Sequence, residues 1–490
     1  MDELCSVLKE LTPMKDATIS THKGSDAAVR RHLSTLKSCA AEVRTAALRA
    51  PKELLEGLDP AVHSISYLFV LDVLVEYVVC GLPVDREWVL DRVMHFMIRF
   101  DRDQSQYAGP AMLTLLERIG GGQLFPPLVA VELLSTAILR MDPSASCFTS
   151  THLLLAKLAY SSNAIEPALP VLNTDILFYP SLPNPRDPIP RDHSLPSSSS
   201  SSPHTGLTDA VKAFTILEYN YVRGLIYISR RDWRRAQGAF EQVIAHPMKD
   251  RNVSRVMVEA YKRYVLVGLL NQGEAPRIPS YMSQHALATY SAAAKLYAGV
   301  ADIFSSFEPD KLRSHIENHM QVWEGDGTLS LLAEIKSSYQ KRQIMGLRKV
   351  YQTISVAQIH STTVNAETGR TLDTVAEVLA LIRHMIQTGD LDGTLEQDSS
   401  GTYLSFRRDC DALSESEFAD RIAQSHKAVA ALGSAYRQMN DSLSSSQEYV
   451  KHVVREQQNL LKEPLDAGIG FSSSIGDDDE DLMDDVFTHH

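Results

Sequence analysis

The chain has 490 residues, enough for two to four structural units, and 44 % of them are apolar, as in a folded protein. Its net charge of −13 argues against a nucleic-acid-binding protein, and no uninterrupted apolar run reaches the roughly 18 residues of a membrane span. The most apolar stretch, 65–82, contains Asp72 and Glu76, so it is expected to be a buried helix. Five scattered cysteines without a Cys-x-x-Cys pair and an acidic N-terminus predict a reducing compartment and no secretory signal.

Residues 1–172 are predicted to form helices throughout. Apolar residues recur there at helical spacing, for example Val29, Leu33, Leu36 and Ala40. Three glycines at 120–122 mark a helix end, and Thr149 or Ser150 is expected to cap a later helix. Asn163 is expected to begin the helix after that one.

The next segment, 173–207, is predicted to be a disordered insertion. Residues 180–206 contain seven prolines and a run of serines at 197–202, and no apolar periodicity survives there. Such a segment buries too little apolar surface to offset the entropy of ordering it. The simplest interpretation is a loop inserted between two helical blocks, and a loop regulated by phosphorylation is the alternative.

Helical repeats are predicted to continue over 208–330, and their clearest signature lies at 219–245. Gly-x-x-Tyr is followed there by Ala-x-x-x-Phe and a proline, the spacing of a tetratricopeptide-like helix pair. The residues expected to pack inside this repeat are Gly224, Tyr227, Ala236 and Phe240. The small residues let two helices cross closely, and the rings fill the space beside them. Because one repeat cannot bury its own apolar face, the surrounding chain is predicted to be a solenoid, a class that usually binds other chains.

A basic cluster lies at the turn inside this helix pair, where Arg230, Arg231, Arg234 and Arg235 flank Trp233. Four arginines at a repeat edge usually form a solvated surface. That is the first interpretation here, and a contact with an acidic partner is the alternative.

Residues 331–408 are predicted to form a winged helix. Helical patterns cover 329–335, 344–354, 355–360 and 371–387. Two short runs, 393–397 and 402–406, lie on either side of a Ser-Ser-Gly turn and predict a β-hairpin in which Tyr403 and Leu404 face opposite sides. Three helices followed by a hairpin are the element order of a winged helix.

A long closing helix is predicted over 414–463, with Ser414 and Glu417 as a capping box. Its apolar residues recur at steps of three, four and seven: Phe418, Ile422, Val429, Leu432, Tyr436, Met439 and Leu443. This spacing predicts a seam that packs against other helices. The remaining residues, 464–490, are predicted to be a disordered acidic tail, in which interleaved apolar residues leave a short docking motif as an alternative.

No enzyme motif is found, so the protein is expected not to be an enzyme and to need no cofactor or metal. A zinc isopeptidase requires His-x-His and a distant acid. His315 and His319 are four apart, but Glu317 does not directly follow the first of them, so a solvated helix face is the preferred interpretation. The third helix of the winged helix carries Arg383 and His384 against two carboxylates, which argues against DNA binding.

A helical solenoid, a winged helix and a long closing helix in this order resemble the PCI family. Its members are scaffold subunits of the proteasome lid, the COP9 signalosome and a translation initiation factor. Two stretches are similar to one signalosome subunit: Glu-Pro-Ala-Leu-Pro-Val-Leu-Asn-Thr-Asp-Ile at 166–176, and 221–227 followed by 255–269. The resemblance covers roughly 150–408. The Pro/Ser insertion and the acidic tail depart from the family pattern.

The resemblance implies a non-catalytic scaffold in the cytoplasm and nucleus, with 208–330 and 331–408 as the repeats and winged helix of a PCI domain. Its implied partners are other signalosome subunits, with subunits one and eight as neighbours, and indirectly the cullin-RING ubiquitin ligases that another subunit deneddylates. Winged helices in this family line up edge to edge, which implies an interface at Leu395, Tyr403, Leu404 and Phe406. The apolar seam of the closing helix is implied to enter a common bundle. No membrane and no nucleic acid is expected as a partner. The alternatives are a subunit of the proteasome regulatory-particle lid and a nucleic-acid-binding PCI protein.

Overall fold

The computed structural model describes residues 2–10, 22–179, 205–247, 253–306, 308–366, 369–398, 401–406, 415–445, 449–451 and 453–455. Over this part of the chain the fold is helical apart from one small sheet, which confirms the predicted mostly α class. Within the same residues, none of the helices combines the length and apolar character that a membrane span requires.

The first block of helices surrounds one helix that is apolar on nearly every face. Its elements are α1 (Asp2–Leu8), α2 (His22–Ser38), α3 (Ala40–Arg49), α4 (Pro51–Glu56), α5 (Ser64–Val79), α6 (Arg86–Arg99), α7 (Arg102–Ser105), α8 (Gly109–Gly120), α9 (Pro127–Met141), α10 (Ser150–Ser161) and α11 (Leu169–Leu172). The central helix is α5, which contacts α3, α4, α6 and α8.

The two carboxylates of α5 are paired with arginines of neighbouring helices. Asp72 accepts a hydrogen bond from Arg118 of α8 at 2.8 Å, and Glu76 lies 3.4 Å from Arg44 of α3. Partial burial raises the pKa of Asp72, and the nearby Arg118 opposes that rise. The predicted buried helix is therefore present up to Val79, and its acidic residues also connect it to its neighbours, whereas residues 80–82 follow the helix end and are exposed.

The second block continues the helical stack. Its elements are α12 (Ala213–Ser229), α13 (Trp233–Ile244), α14 (Arg255–Gln272), α15 (Gln284–Ala293), α16 (Lys295–Ser305), α17 (Pro309–Asn318), α18 (Met320–Asp326) and α19 (Leu329–Leu347). Helix α13 packs between α12 and α14, and α14 also contacts α16 and α19. Buried tyrosines from several of these helices dominate the shared core: Tyr264, Tyr290, Tyr297 and Tyr339.

A small sheet and two helices follow. The elements are β1 (Thr353–Ser355), α20 (Val356–Thr362), α21 (Val375–Gln387), β2 (Gly393–Asp398) and β3 (Gly401–Phe406). The strands are antiparallel in the order β1-β3-β2, so β3 is central. Leu404 pairs with Ile354 on one side and with Leu395 on the other. The two predicted strands of the hairpin are present, each within one residue of its expected bounds.

Two local expectations were wrong. The pattern over 344–354 predicted a helix, but α19 ends at Leu347 and Ile354 lies in β1, where pairing with β3 overrides the local preference. Asn163 does not begin a helix: its φ of 56° is left-handed, a conformation that asparagine tolerates, and it follows the end of α10. Thr149 does cap α10, as one of the two expected candidates.

The ends of the predicted insertion belong to the folded chain. Phe178 is buried and bridges to Cys147, and Leu207 is buried as well. Residues 180–204 lie outside the described part of the chain, as does the predicted cap at Ser414. The last described helix is α22 (Glu415–Ser445), and the contacts of the chain divide it into two units after Ile422.

Candidate subunit-contact surfaces

The four predicted repeat residues lie inside the fold, where α12 and α13 cross. A Cβ atom on Gly224 would lie 2.6 Å from the Phe240 ring, so only glycine lets the two helices approach this closely. Ala236 and Phe240 are fully buried. Tyr227 is buried too, and its hydroxyl donates to the carbonyl oxygen of Leu172 in α11 at 2.6 Å. These residues therefore hold helices together and are not available to a partner.

The turn between α12 and α13 is fixed by its own backbone chemistry. Arg231 adopts a left-handed φ of 58°, and the carboxylate of Asp232 caps α13 by accepting from the Arg235 N–H at 3.1 Å. This turn directs four arginine side chains to one edge of the repeat.

The sheet offers β2 as an edge, which corrects part of the predicted interface. Leu404 and Phe406 lie on the central strand β3 and are buried in the small core. Neither side chain is available at the edge of the sheet, because both pack against α20 and α21. Leu395 lies on β2 and is half-buried, and Tyr403 is half-buried on β3. Among the described strands, β1 and β2 are each paired on one side only, and β2 is the longer of these two edges.

The direction of the free backbone groups on β2 follows from the ladder. Phe406 donates its N–H to Gln352 on the β1 side, so its pairing with Gly393 on β2 lacks mutual hydrogen bonds. Counting along the register, Leu395 and Gln397 also direct their N–H and C=O groups away from β3. An extended strand of another chain finds an unpaired edge there.

The seam of α22 is exposed along its length. Five of its residues lie in the described part of the structure, and each is 54 to 70 % exposed to solvent: Phe418, Ile422, Val429, Leu432 and Tyr436. The described helix, Glu415–Ser445, lies within the predicted 414–463, while the side chains of Met439 and Leu443 lie outside the described part of the structure. Large apolar side chains in one helical row are a typical protein-contact surface.

The paired histidines His315 and His319 each contact the backbone through one ring nitrogen. His315 donates from Nε2 to the Leu296 carbonyl oxygen at 3.1 Å, and His319 donates from Nδ1 to the His315 carbonyl oxygen at 2.9 Å. Both rings are half-buried beside Trp323, so the expected solvated helix face was wrong. In the described residues, no group of three His, Cys, Asp or Glu side chains is arranged to hold a metal ion.

A charged cluster that the sequence analysis did not single out joins α14 to α18. Lys262 donates to Glu259 and to Asp326, each at 2.8 Å, and Tyr297 donates to Asp326 at 2.7 Å. Burial works to raise the pKa of Asp326, but the hydrogen bonds from Lys262 and Tyr297 outweigh it and hold that pKa below its ordinary value. Every group has a partner, so the cluster connects helices and leaves no free acid or base.

His152 is another buried titratable group with a structural role. Its Nδ1 accepts the N–H of Thr149 at 3.2 Å, which completes the cap of α10. Burial lowers the pKa of His152 to about 4, so the ring is neutral at pH 7. The buried ring contacts Phe148 and Tyr219, which also contact each other.

Stacked helices, a small sheet with β2 as the longer of its two described edge strands, and an exposed helical seam define a helical-repeat protein with surfaces suited to contact with other chains. Residues 28–286 match the family model for the N-terminal helical repeats of COP9 signalosome complex subunit 3. The chain therefore belongs to the COP9 signalosome subunit 3 family. It is 33 % identical over 448 residues to the COP9 signalosome complex subunit 3 of Neurospora crassa, covering 89 % of this chain and 90 % of that protein. It is 27 % identical over 455 residues to the subunit of the same name from Emericella nidulans, covering 88 % and 89 %.

Proposed function

We propose that this chain is a non-catalytic scaffold subunit of the COP9 signalosome. The observation that carries the proposal is the exposed apolar seam of α22. Burying one large apolar side chain is worth roughly 1.5–3 kcal/mol, so a row of five exposed ones favours association. The seam fits a bundle made with the closing helices of other subunits.

The second contact is proposed at the edge of the sheet. The order α19, β1, α20, α21, β2, β3 supports a winged helix of the PCI type over 331–408, preceded by the repeats of that domain over 208–330. In this proposal, the outward backbone groups of Leu395 and Gln397 pair with a strand of an adjacent subunit. Subunits one and eight are the proposed neighbours.

The proposal assigns the deneddylation chemistry to another subunit. The hydrogen bonds and ion pairs of the candidate catalytic side chains in this chain support that assignment. The histidine nitrogens of the pair on α17 and the adjoining turn donate to carbonyl oxygens, and the acids beside Lys262 are paired. The role of this chain in deneddylating cullin-RING ligases is then to hold the assembly together.

Nucleic-acid binding is disfavoured by the exposed face of α21. Arg383, His384 and Glu377 are exposed on this helix, and Asp373 is exposed two residues before it begins. Phosphate binding needs an excess of cations, which this face does not offer. The proposed place of action is the cytoplasm and nucleus, with no membrane partner.

Affinity purification of the tagged chain from its own cells, followed by mass spectrometry, tests the proposal. The expected result is a full set of signalosome subunits together with cullin-RING ligases. Recovery of proteasome-lid subunits in their place would contradict it. The purified chain alone should release no modifier from a cullin, and an activity that survives removal of all other subunits would rule out a purely scaffolding role.

A further inference from the structure

The turn between α12 and α13 opens onto a basic groove that neither proposed subunit contact uses. Three adjoining hollows of about 640, 520 and 420 Å³ make up this groove. The first and second share Arg234 and Arg235 as lining residues, and the second and third share Arg231 and Trp233. Because each hollow shares lining with the next, the groove continues past the whole turn.

The groove carries positive charge on an acidic protein. Seven arginine and lysine side chains and four carboxylates line it, an excess of three positive charges in a chain of net charge −13. One end is lined by Arg223, which is 95 % buried, and the other by Lys341 and Arg342. An acidic chain is therefore attracted to this surface and repelled by the rest of the protein on average.

Ion pairs hold part of the cluster in place. Arg230 pairs with Glu166 beside α11, and Arg231 pairs with Glu334 of α19. These pairs fix two guanidinium groups at the walls. Arg234 is exposed and makes no ion pair within the described residues, so its donors are available to a ligand.

We propose that this groove binds an extended acidic segment of a partner protein, with carboxylates on the arginines and an apolar residue against Trp233. The length of three hollows exceeds what one small anion fills, which favours a peptide over a free phosphate. Arginine binds carboxylates through paired hydrogen bonds, which gives such a segment a defined register. Trp233 is only half-buried and lines two of the hollows, so an apolar side chain can contact it.

The test is fluorescence anisotropy with the full chain and a labelled twelve-residue peptide of Asp and Glu with one central Leu. A peptide with Asn and Gln at the acidic positions is the matched control. We expect saturable binding of the acidic peptide that weakens with added salt, and at least tenfold weaker binding of the neutral one. Equal binding of both peptides would overturn the proposal, and so would tighter binding of a single-stranded oligonucleotide of equal charge or complete displacement by millimolar inorganic phosphate.

Charge-reversal variants locate the site. R234E and K341E together should weaken binding of the acidic peptide at least tenfold, because they change opposite parts of the groove. R49E, at an exposed position at the end of α3, is the matched control and should change it less than twofold. All variants should keep the melting temperature of the wild type. If the groove variants bind as well as R49E, the acidic peptide binds elsewhere and the proposal is wrong.

The tryptophan gives an independent readout. Binding of the peptide should change the tryptophan emission of the wild type and of W88F, since Trp88 lies in α6 and not in the groove. The change should be lost in W233F. A change that persists in W233F would place the peptide away from the turn and contradict the assignment.

Discussion

Gly224 and Phe240 pack so closely that a single methyl group on the glycine would lie 2.6 Å from the phenylalanine ring. The contact joins α12 to α13, and Phe240 is fully buried on the other side of it. The ring is fully buried and cannot move aside without displacing its other neighbours, which include the ring of Tyr221 at a centroid distance of 6.0 Å. The closeness of this helix pair therefore rests on the absence of a side chain at one position.

The first prediction is that Gly224→Ala destabilises the protein by about 1–3 kcal/mol, the usual cost of overpacking a core. Thermal and denaturant unfolding measure it. Gly238→Ala is the matched control, because Gly238 lies in α13 with nothing within 4 Å of its added Cβ. That variant should be neutral or slightly stabilising, since alanine favours a helix.

A double variant tests the cause of the first effect. Phe240→Leu removes the ring atoms that the added methyl group meets, so Gly224→Ala should cost less in its presence. The change in the free energy of unfolding of the double variant should differ from the sum of the two single changes by about 0.5–3 kcal/mol. Simple additivity would show that the ring is not what excludes a side chain at Gly224.

The contact between α12 and α13 could be predicted from the sequence because the residues that make it lie close together in the chain. Gly-x-x-Tyr and Ala-x-x-x-Phe fix both the small residues and the rings within one helix pair. The hairpin was predictable for the same reason: the turn at 398–401 joins two runs whose alternation is visible in the sequence. Both predictions, of the helix pair and of the hairpin, depended only on residues that are close in the sequence.

The errors arose where distant segments decide the structure. Ile354 lies in a three-residue strand that exists only because β3, fifty residues later, pairs with it. That pairing makes β3 central, so Leu404 and Phe406 are buried and not at an edge. His315 is half-buried because Leu296 and Trp323 pack against it. Periodicity within a single segment contains none of this information.

The second prediction concerns the edge of the sheet. Gln397→Pro removes an N–H that points away from β3, and the side chain of Gln397 is exposed, so the sheet should remain folded. If another strand pairs with this edge, the variant should leave the assembly. Gel filtration and pull-down of the co-expressed subunits measure the loss.

Two further variants are controls for Gln397→Pro. Gln397→Ala keeps the N–H and should assemble normally. Glu396→Pro removes an N–H that faces β3, so it should lower the stability of the sheet itself. A Gln397→Pro protein that assembles as well as Gln397→Ala would show that β2 is not a subunit contact.

The third prediction is a pH dependence centred on His152. Its pKa is about 4 in the folded protein, below the value of 6.5 in the unfolded chain, so the unfolded state binds the extra proton between these pH values. The stability linked to this ring is complete above pH 6.5, falls as the pH is lowered and is lost by about pH 4. The total loss is about 3 kcal/mol.

Unfolding of His152→Gln as a function of pH measures this effect. The variant should be less stable at pH 7 but should lose less stability between pH 6.5 and pH 4 than the wild type. His384→Gln, at an exposed position on α21, should retain the slope of the wild type. Parallel curves for the wild type and His152→Gln would show that this ring does not contribute to acid sensitivity.

The last prediction concerns the seam of α22. Leu432 is 70 % exposed, so Leu432→Glu should leave the melting temperature of the isolated chain unchanged. In a helical bundle the same carboxylate would be buried without a partner, which costs several kcal/mol and should remove the chain from the complex. Ser434→Glu adds the same charge on the opposite side of α22, two residues and about 200° from Leu432, and should assemble normally. Truncation after Ser414 should likewise abolish stable assembly, whereas deletion of 472–490 should not, because that tail carries no apolar seam. Co-purification of the subunits with each variant measures the outcome. If Leu432→Glu recovers the same partners as Ser434→Glu, the seam is not the surface that holds this chain in the assembly.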